Sequence, residues 1–321
     1  MMFLKCGILA AVGLWVIVTA AAQAAAPNVL VTVRPIHSLV AAVMDGVGTP
    51  GLLLESGQTP HSYTLAPSDA KALSAADIVV WVGEPLETFL EGPLETLASD
   101  ADIVELIADD RIALKANRDG GIWRSEDDHE EGETHADDDH DHDHDHGHVD
   151  GHIWLDPNNA RAVIAIVVEA LSNTDPKNAV IYADNANSAL KNLSELEAEV
   201  LDVLGPVKDR PFLVAHDALQ YFDRYFELNA VGAITVTPDR TPSARRLSNI
   251  RESARQLGSV CLFSEPGFEP KVMRVVAEAA DIRTGVLDPL GAELDPGKAL
   301  YFDLMRGLAL QLANCLGQNP S

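Results

Sequence analysis

Positive charge is scarce in this sequence. Its 321 residues include 23 lysines and arginines against 49 aspartates and glutamates, so the formal net charge at pH 7 is −26. This balance argues against nucleic acid and anionic membrane surfaces as partners, because both repel a negatively charged protein. Thirteen of the acidic residues lie between Glu126 and Asp150. About half of the charge therefore belongs to one segment, and the rest of the chain is only moderately acidic.

Cysteine is also rare, with three in the whole chain. Cys6 lies within the expected targeting signal, which leaves Cys261 and Cys315 for the mature protein. They are widely spaced and form no CxxC pair, so they do not resemble a thiolate metal site. In an oxidising compartment such a pair suggests a disulfide, and the alternative is two buried free thiols.

Only one stretch of the chain is long and apolar enough to be considered as a bilayer span, and it lies at the N-terminus. Lys5 precedes the apolar run 8–22, and small residues suited to cleavage follow at 22–24. The run is short of the ~20 residues that a bilayer span needs, which favours a cleaved signal peptide at 1–24 over a membrane anchor. We expect an exported mature chain that begins near Ala25.

Strand-like and helical patterns alternate along the rest of the chain. The expected strands are 29–33, 78–82 and 103–106 in the first half, and 212–215, 231–234, 260–263 and 284–287 in the second. The expected helices are 36–44, 67–76, 86–97, 158–172, 219–226, 243–257, 270–280 and 298–316. This alternation predicts an α/β fold with parallel sheets, in which the two halves form two similar (β/α) lobes.

A long helical pattern separates the two halves. Asp175 and Pro176 are suited to its first turn, and Gly205-Pro206 ends it. A helix over 176–204 would be roughly 43 Å long, which is more than one lobe needs. It is therefore either a rigid connection between the lobes or an ordinary surface helix. The expected organisation is a first lobe at 25–175, the linking helix at 176–204 and a second lobe at 205–321.

Residues 117–150 have the composition of a disordered loop. They offer almost nothing apolar to bury, and they are too long for an ordinary connection. Seven histidines lie among the acidic residues, at His129, His135, His140, His142, His144, His146 and His148. Imidazole suits Zn²⁺, Cu²⁺ and Ni²⁺. We expect a flexible loop that captures metal weakly at several positions, with a solvated low-complexity tract as the alternative.

Four histidines lie outside this loop, and three of them have positions suited to a fixed metal site. His216 and Asp288 each follow an expected strand, at the edge where open α/β sheets bind ligands. His61 lies in an expected loop, and His152 directly follows the acidic segment. Three imidazoles and a carboxylate would satisfy tetrahedral Zn²⁺. A histidine by itself, however, is more often a surface or hydrogen-bonded residue.

Other residues fit the metal site less well or not at all. His37 lies at the start of an expected helix, and we expect it to be a surface or hydrogen-bonded residue. Glu265 follows an expected strand and is the spare carboxylate for the site. The sequence contains no HExxH or similar catalytic signature. Asp288 would also close the open coordination position that a zinc hydrolase needs, so binding is favoured over catalysis.

Five motifs along the chain resemble those of a known family. They are PHSY (60–63) with PSD (67–69), ADIVVWVG (76–83), HIWLDP (152–157), AHD (215–217) and LDPLG (287–291). In order and spacing they resemble the zinc-binding solute receptors of ABC uptake systems, over essentially the whole mature chain. The resemblance implies two (β/α) lobes joined by a long rigid helix, with metal in the cleft between them.

The same resemblance implies a set of metal ligands. They are His61 and His152 from the first lobe, His216 from the second and, in many members, the residue at the Asp288 position. Water or another carboxylate takes the fourth place in other members. A histidine-rich loop before the second ligand is typical of zinc members, whereas manganese members usually carry a carboxylate at the His216 position. A disulfide matching Cys261 and Cys315 also occurs in zinc members.

The function that this resemblance implies is a periplasmic zinc receptor. It would capture Zn²⁺ and hand it to the membrane permease subunits of an ABC transporter. We expect a monomer that is not an enzyme, with an accessory metallochaperone as a further candidate partner. One alternative is a passive zinc buffer, for which the loop alone would suffice, and the other is a zinc hydrolase. The ordered candidate ligands and the two large lobes disfavour the buffer.

Overall fold

The structure is a computed structural model. It describes residues 26–118, 123, 149–235, 243–258, 261–266, 270–280 and 282–318. The expected signal peptide lies outside these residues, as do the seven loop histidines from His129 to His148. Within these ranges, no helix combines the length and the apolarity that crossing a bilayer requires.

The first sheet contains four parallel strands. They are β1 (Val29–Val31), β2 (Gly51–Leu52), β3 (Ile78–Trp81) and β4 (Asp102–Glu105), arranged in the order β2-β1-β3-β4. The helices that follow the first three strands in the chain are α1 (Arg34–Val43), α2 (Pro67–Ser74) and α3 (Glu91–Leu97). We call this part of the protein the first lobe. The three strands expected here are confirmed.

Two features of the first lobe differ from the expectation. Strand β2 is missing from the sequence-based prediction, because two residues are too short to show a periodic pattern. The helix expected at 86–97 begins later, since Thr88–Leu90 forms a 3₁₀ turn and α3 starts only at Glu91.

The second sheet repeats the arrangement of the first. Its strands are β5 (Phe212–His216), β6 (Ala230–Thr235), β7 (Cys261–Ser264) and β8 (Arg283–Val286). They are parallel and lie in the order β6-β5-β7-β8. The helices of this second lobe are α6 (Gln220–Tyr225), α7 (Ala244–Gln256), α8 (Pro270–Ala280) and α9 (Leu300–Leu316). Both sheets therefore have the same strand order, and the expectation of two similar α/β lobes is confirmed.

Two helices lie between the sheets in the chain, namely α4 (Pro157–Thr174) and α5 (Ala179–Leu204). Asp156 is the N-cap of α4, and its side chain accepts a hydrogen bond from the Asn158 N–H at 2.8 Å. The α5 helix has 26 residues and is therefore about 39 Å long. Its buried positions recur every three or four residues, which fits a helix that packs along one face. The expected long helix between the lobes is confirmed, although it begins at Ala179 because residues Pro176–Asn178 form a 3₁₀ turn.

The two sheets share one hydrophobic core. Val29 and Val31 of β1 belong to a large cluster that also contains Phe212 of β5 and residues of α1, α4, α5 and α9. Leu30 and Leu213, which point to the other faces of their sheets, belong to two separate small clusters. Each sheet therefore has an outer layer of its own and an inner layer in common with the other sheet.

One covalent link connects two elements of the second lobe. Cys261, at the start of β7, forms a disulfide with Cys315 in α9, with 6.3 Å between their Cα atoms. The predicted disulfide is confirmed, and the alternative of two free thiols is wrong for this structure. The link ties the C-terminal helix to a central strand of the second sheet.

Candidate metal site

His61 lies in the loop between β2 and α2. Its backbone N–H donates to Thr59 Oγ1 at 3.3 Å. Further along, Asp69 Oδ2 accepts hydrogen bonds from the Tyr63 hydroxyl and the Ala66 N–H, both at 2.7 Å. These bonds hold the chain on both sides of the histidine and bring its half-buried side chain to a fixed place.

His152 lies directly before a 3₁₀ turn at Ile153–Leu155 that leads into α4. Asp150 Oδ1 accepts the His152 backbone N–H at 2.9 Å and lies 2.7 Å from His152 Nδ1. Both side chains are buried, and the Trp154 ring centroid lies 5.4 Å from that of the imidazole. Because an ionised carboxylate only accepts hydrogen bonds, Nδ1 carries the proton and Nε2 is the free ring nitrogen.

His216 is the last residue of β5, at the carboxyl end of the second sheet. Glu265, which follows the neighbouring strand β7, places Oε1 3.0 Å from His216 Nδ1. By the same chemistry, this pairing leaves Nε2 of His216 free. A histidine that binds a metal through one ring nitrogen commonly donates the N–H of the other ring nitrogen to a carboxylate, which fixes the ring.

The structure brings the three histidines together. Their ring centroids are 5.4 Å apart for His61 and His152, 5.1 Å for His61 and His216, and 5.2 Å for His152 and His216. One ring nitrogen of each lies within 4.8 Å of the others. Among the described residues, no other group of three or more histidine, cysteine, aspartate or glutamate side chains is spaced in this way.

Burial and neighbouring charges set the protonation of the cluster. The pKa of His61 is lowered to about 2, first by burial and then by repulsion from His152 and His216. Burial also lowers the pKa of His216, but the charge and the hydrogen bond of Glu265 outweigh it, so that the pKa is raised overall. A metal ion needs the lone pair of a neutral imidazole. His61 offers one at any ordinary pH, whereas at His216 a metal ion competes with a proton.

Asp288, the expected fourth ligand, lies outside the histidine group. Its Oδ1 accepts hydrogen bonds from the N–H groups of Leu290 at 3.1 Å and Gly291 at 2.9 Å, and its Oδ2 accepts one from Ala292 at 2.6 Å. A carboxylate has about four lone-pair positions, so three of them are used by the backbone. The structure gives Asp288 a role in shaping the turn, and its role as a metal ligand stays a prediction.

The sequence predicted the roles of three further residues, His37, Glu265 and Asp150, with different success. His37 is buried, with Nε2 3.1 Å from the Pro50 carbonyl oxygen, in agreement with the expected hydrogen-bonded role. Glu265 contacts His216 rather than joining the group of ring nitrogens. Asp150 was missed as a functional residue, because it looks like the last member of the acidic run. Its separation of two residues from His152 was the only available signal.

Comparison with known proteins assigns the family. The family model described as zinc-uptake complex component A, periplasmic (ZnuA), matches residues 29–315. The chain belongs to this family. The high-affinity zinc uptake system protein ZnuA of Brucella suis biovar 1 (strain 1330) is 42% identical over 310 residues, which cover 91% of this chain and 92% of the Brucella protein. The ZnuA protein of Paracoccus denitrificans (strain Pd 1222) is 38% identical over 306 residues, which cover 92% and 94% of the two chains.

A solved structure gives the same fold. The periplasmic zinc-binding protein TroA from Treponema pallidum matches with a TM-score of 0.74 and 20% identity, over 91% of this chain and 99% of that protein. At this identity the likeness shows the fold alone. Together with membership of the ZnuA family, it confirms the family resemblance and the two-lobed α/β architecture that the motifs predicted.

Proposed function

We propose that this ZnuA-family chain is a periplasmic zinc receptor, which captures Zn²⁺ between its two lobes and delivers it to the permease of an ABC transporter. One observation carries the proposal. His61, His152 and His216 come from three separate segments of two lobes, and their ring nitrogens lie within 4.8 Å of one another. Such convergence of three imidazoles matches the ligand preference of zinc.

The donor set supports zinc over harder cations. Carboxylate, carbonyl and water oxygens suit Mg²⁺, Ca²⁺ and Mn²⁺, whereas imidazole suits Zn²⁺. All three grouped side chains are imidazoles, and carboxylates hold Nδ1 of His152 and His216. Asp288, Glu265 or a water molecule would complete the set of four. We assign the fourth place to Asp288, which keeps one lone-pair position beyond its three backbone bonds.

The cellular setting belongs to the same proposal. The matching family is a periplasmic component of zinc uptake. We propose that residues 1–24 are a cleaved signal peptide, that the mature chain is a monomer, and that permease subunits and a metallochaperone are its partners. Capture followed by release on docking requires binding without chemical conversion of a substrate, so the proposed receptor is not an enzyme.

Metal titration of the mature protein tests the proposal. We expect one tight Zn²⁺ site per chain, and replacement of any one of His61, His152 and His216 by alanine should weaken it by orders of magnitude while far-ultraviolet circular dichroism stays unchanged. Unchanged affinity in two of the three variants would refute the site. A strain that lacks this chain should grow poorly under zinc chelation and recover on zinc addition. Normal growth of that strain would favour a passive buffer.

A further inference from the structure

A second polar cluster lies beside the metal site, and its centre is Arg118. The Arg118 Nε lies 2.9 Å from Asp217 Oδ2, and its Nη2 also bonds Asp217 Oδ1. The Arg118 Nη1 lies 2.8 Å from Asp223 Oδ2. The side chains are nearly buried, with 9% exposed for Arg118, 11% for Asp217 and 2% for Asp223. The Trp123 ring lies against the guanidinium, 3.6 Å from its Cζ atom. The arginine is therefore held on several sides.

The residues that Arg118 joins belong to different lobes. Arg118 lies in the chain that follows β4 of the first lobe, whereas Asp223 lies in α6 of the second. Asp217 directly follows His216, the proposed ligand at the end of β5. Because adjacent residues move together, a force that holds Asp217 against the first lobe also holds His216 there.

Hydrogen bonds from α6 extend this connection towards the second proposed ligand. The Tyr221 hydroxyl accepts the Lys115 N–H at 2.9 Å and donates to the Asp150 carbonyl oxygen at 3.0 Å. The Gln220 Nε2 donates to the Ala116 carbonyl oxygen at 3.0 Å. The Asp150 side chain in turn contacts Nδ1 of His152. One side of the cleft is thus joined across the lobes by contacts of the protein itself.

Among the contacts that join the lobes here, both ion pairs depend on Arg118. Two nearly buried carboxylates repel each other and lose solvation, so they need a cation between them. Arg118 lies between both: its planar guanidinium hydrogen-bonds Asp217 through a fixed fork of N–H donors and lies at ion-pair distance from Asp223. Without Arg118 the carboxylates of Asp217 and Asp223 would lose this partner and move towards water, away from the first lobe.

We propose that Arg118 is a positioning residue, which holds the turn that carries His216 against the first lobe and keeps the three imidazoles assembled. This inference rests on the proposed zinc-receptor function. Arg118 acts through Asp217, and no contact of its own with the ion is needed. An assembled site loses a bound ion slowly, because a ligand that detaches stays close enough to bind again.

The test compares the wild-type protein with Arg118→Met and Arg118→Lys. Each protein is loaded with Zn²⁺ and mixed with excess chelator, and the slow phase of zinc release reports the tight site. Each is also saturated with Co²⁺, whose absorption spectrum reports the ligands. We expect Arg118→Met to release zinc about tenfold faster or more, with an unchanged cobalt spectrum. Arg118→Lys keeps the charge but loses the fork, so its release should be faster than wild type by about threefold.

The matched control is Arg111→Met. Arg111 pairs with Asp109 and with Glu169 of α4, and neither partner belongs to the second lobe, so its removal deletes a paired arginine without touching the contact between lobes. We expect its zinc release rate to equal that of the wild type. Small-angle scattering of the metal-free proteins gives a second readout, in which Arg118→Met should have a larger radius of gyration and Arg111→Met should not.

Three outcomes would overturn the positioning role. One is a lowered thermal midpoint for Arg118→Met with a release rate within twofold of wild type, which would make Arg118 a stabilising residue only. Another is a changed cobalt spectrum, which would mean that the ligands themselves differ. A third is an equal acceleration in Arg111→Met. If Arg118→Met does not fold, Arg118→Lys decides by the same criteria. Failure of the wild-type protein to bind zinc would instead refute the proposed function.

Discussion

Asp150 and Glu265 determine which nitrogen of two imidazoles is available to an ion. Each holds Nδ1 of its histidine, at 2.7 Å for His152 and 3.0 Å for His216. Among the described residues no carboxylate holds the His61 ring, which depends on its loop for orientation. At the scale of single residues, the site therefore consists of three imidazoles and the groups that fix them.

We predict that Asp150→Ala weakens zinc binding by about 10–100-fold, which is the usual effect of removing a support of this kind. The variant frees the His152 ring and also leaves the His152 backbone N–H without its acceptor. Competition titration against a chelator measures the change. Asp109→Ala, which removes an aspartate paired with Arg111 at the surface, is the control and should bind zinc normally.

For Asp288 we predict that alanine affects folding more than binding. Its carboxylate accepts three backbone N–H groups, so Asp288→Ala should lower the unfolding free energy of the metal-free protein by about 1–3 kcal/mol. The loss of zinc affinity should be smaller than for any of the three histidine variants, since water can take a fourth position. Urea unfolding and zinc titration of one preparation measure both effects. Unchanged stability, together with a loss of affinity as large as that of the histidine variants, would contradict this prediction.

Glu87 makes stability depend on pH. Burial raises the pKa of this carboxyl from its usual 4.5 to about 7, against the opposing hydrogen bonds from the N–H groups of Val82 and Gly83. Between these pH values the folded state keeps a proton that the unfolded state has released. The stabilisation is complete below pH 4.5 and is lost as pH rises through 7. We predict a loss of at most roughly 3 kcal/mol.

Urea unfolding of the metal-free protein at pH 5 and pH 8 measures this change. Glu87→Gln should flatten the difference, because an amide does not titrate in this range. Glu91→Gln changes an exposed glutamate of α3 and should leave the difference as in the wild type. A wild-type profile that rises from pH 5 to pH 8 in step with Glu87→Gln would contradict the role of Glu87.

The histidines could be found from sequence, whereas the supporting roles of Asp150, Glu265 and Arg118 could not. His216 follows an apolar run that predicts a strand, and parallel strand ends meet at one edge. His61 and His152 lie in motifs with family-specific order. Asp150, by contrast, is one of thirteen similar carboxylates in its segment, and only the folded backbone selects it. Arg118 has no sequence pattern at all, since its partners are about 100 residues away.

At the scale of elements, the disulfide lies at the start of β7 and the metal site lies beyond the end of the same strand. Cys261 begins β7, and Glu265 follows the end of that strand. We predict that Cys261→Ala with Cys315→Ala lowers the unfolding free energy by up to roughly 4 kcal/mol, since the loop spans 54 residues. The zinc affinity should stay within about threefold of wild type, because the link is remote from the histidines.

Mass spectrometry of non-reduced peptides checks the link itself, and urea unfolding with zinc titration of the double variant checks its effect. Two free thiols in the protein would contradict the disulfide, and a large loss of affinity would contradict the separation of the disulfide from the metal site.

Strands and helices were predictable where apolar runs are long, as in β3 and β5. The two-residue strand β2 and the 3₁₀ turn at Thr88–Leu90 depend on tertiary contacts that no local pattern records.

At the scale of the whole molecule, the residues on either side of the histidine-rich segment are paired with each other. Ala116 and Val149 form an antiparallel bridge, and the Asp150 N–H donates to the Lys115 carbonyl oxygen at 2.9 Å. The segment can therefore be shortened without separating the chain on either side. Because it leads into His152, zinc held on it would stay near the site at a millimolar effective concentration.

We predict that deletion of residues 126–148, which removes all seven loop histidines, reduces the number of zinc ions bound per chain and leaves the tight site nearly unchanged. The deletion keeps Arg118 and Trp123, so the contact between the lobes is preserved. A full-length variant with asparagine at all seven loop histidines is the control for chain length and should show the same reduction. Equilibrium titration counts the ions, and loss of the tight site on deletion would show that the loop belongs to it.

The shared core has a consequence for how the molecule unfolds. Val29, Val31 and Phe212 from the two sheets are buried in one cluster with residues of α1, α4, α5, α6 and α9, so neither half can expose its inner face while the other stays intact. Two sheets of identical strand order would otherwise be natural units of independent melting. Here the interior couples them into a single cooperative unit, and heat should unfold both in one calorimetric transition.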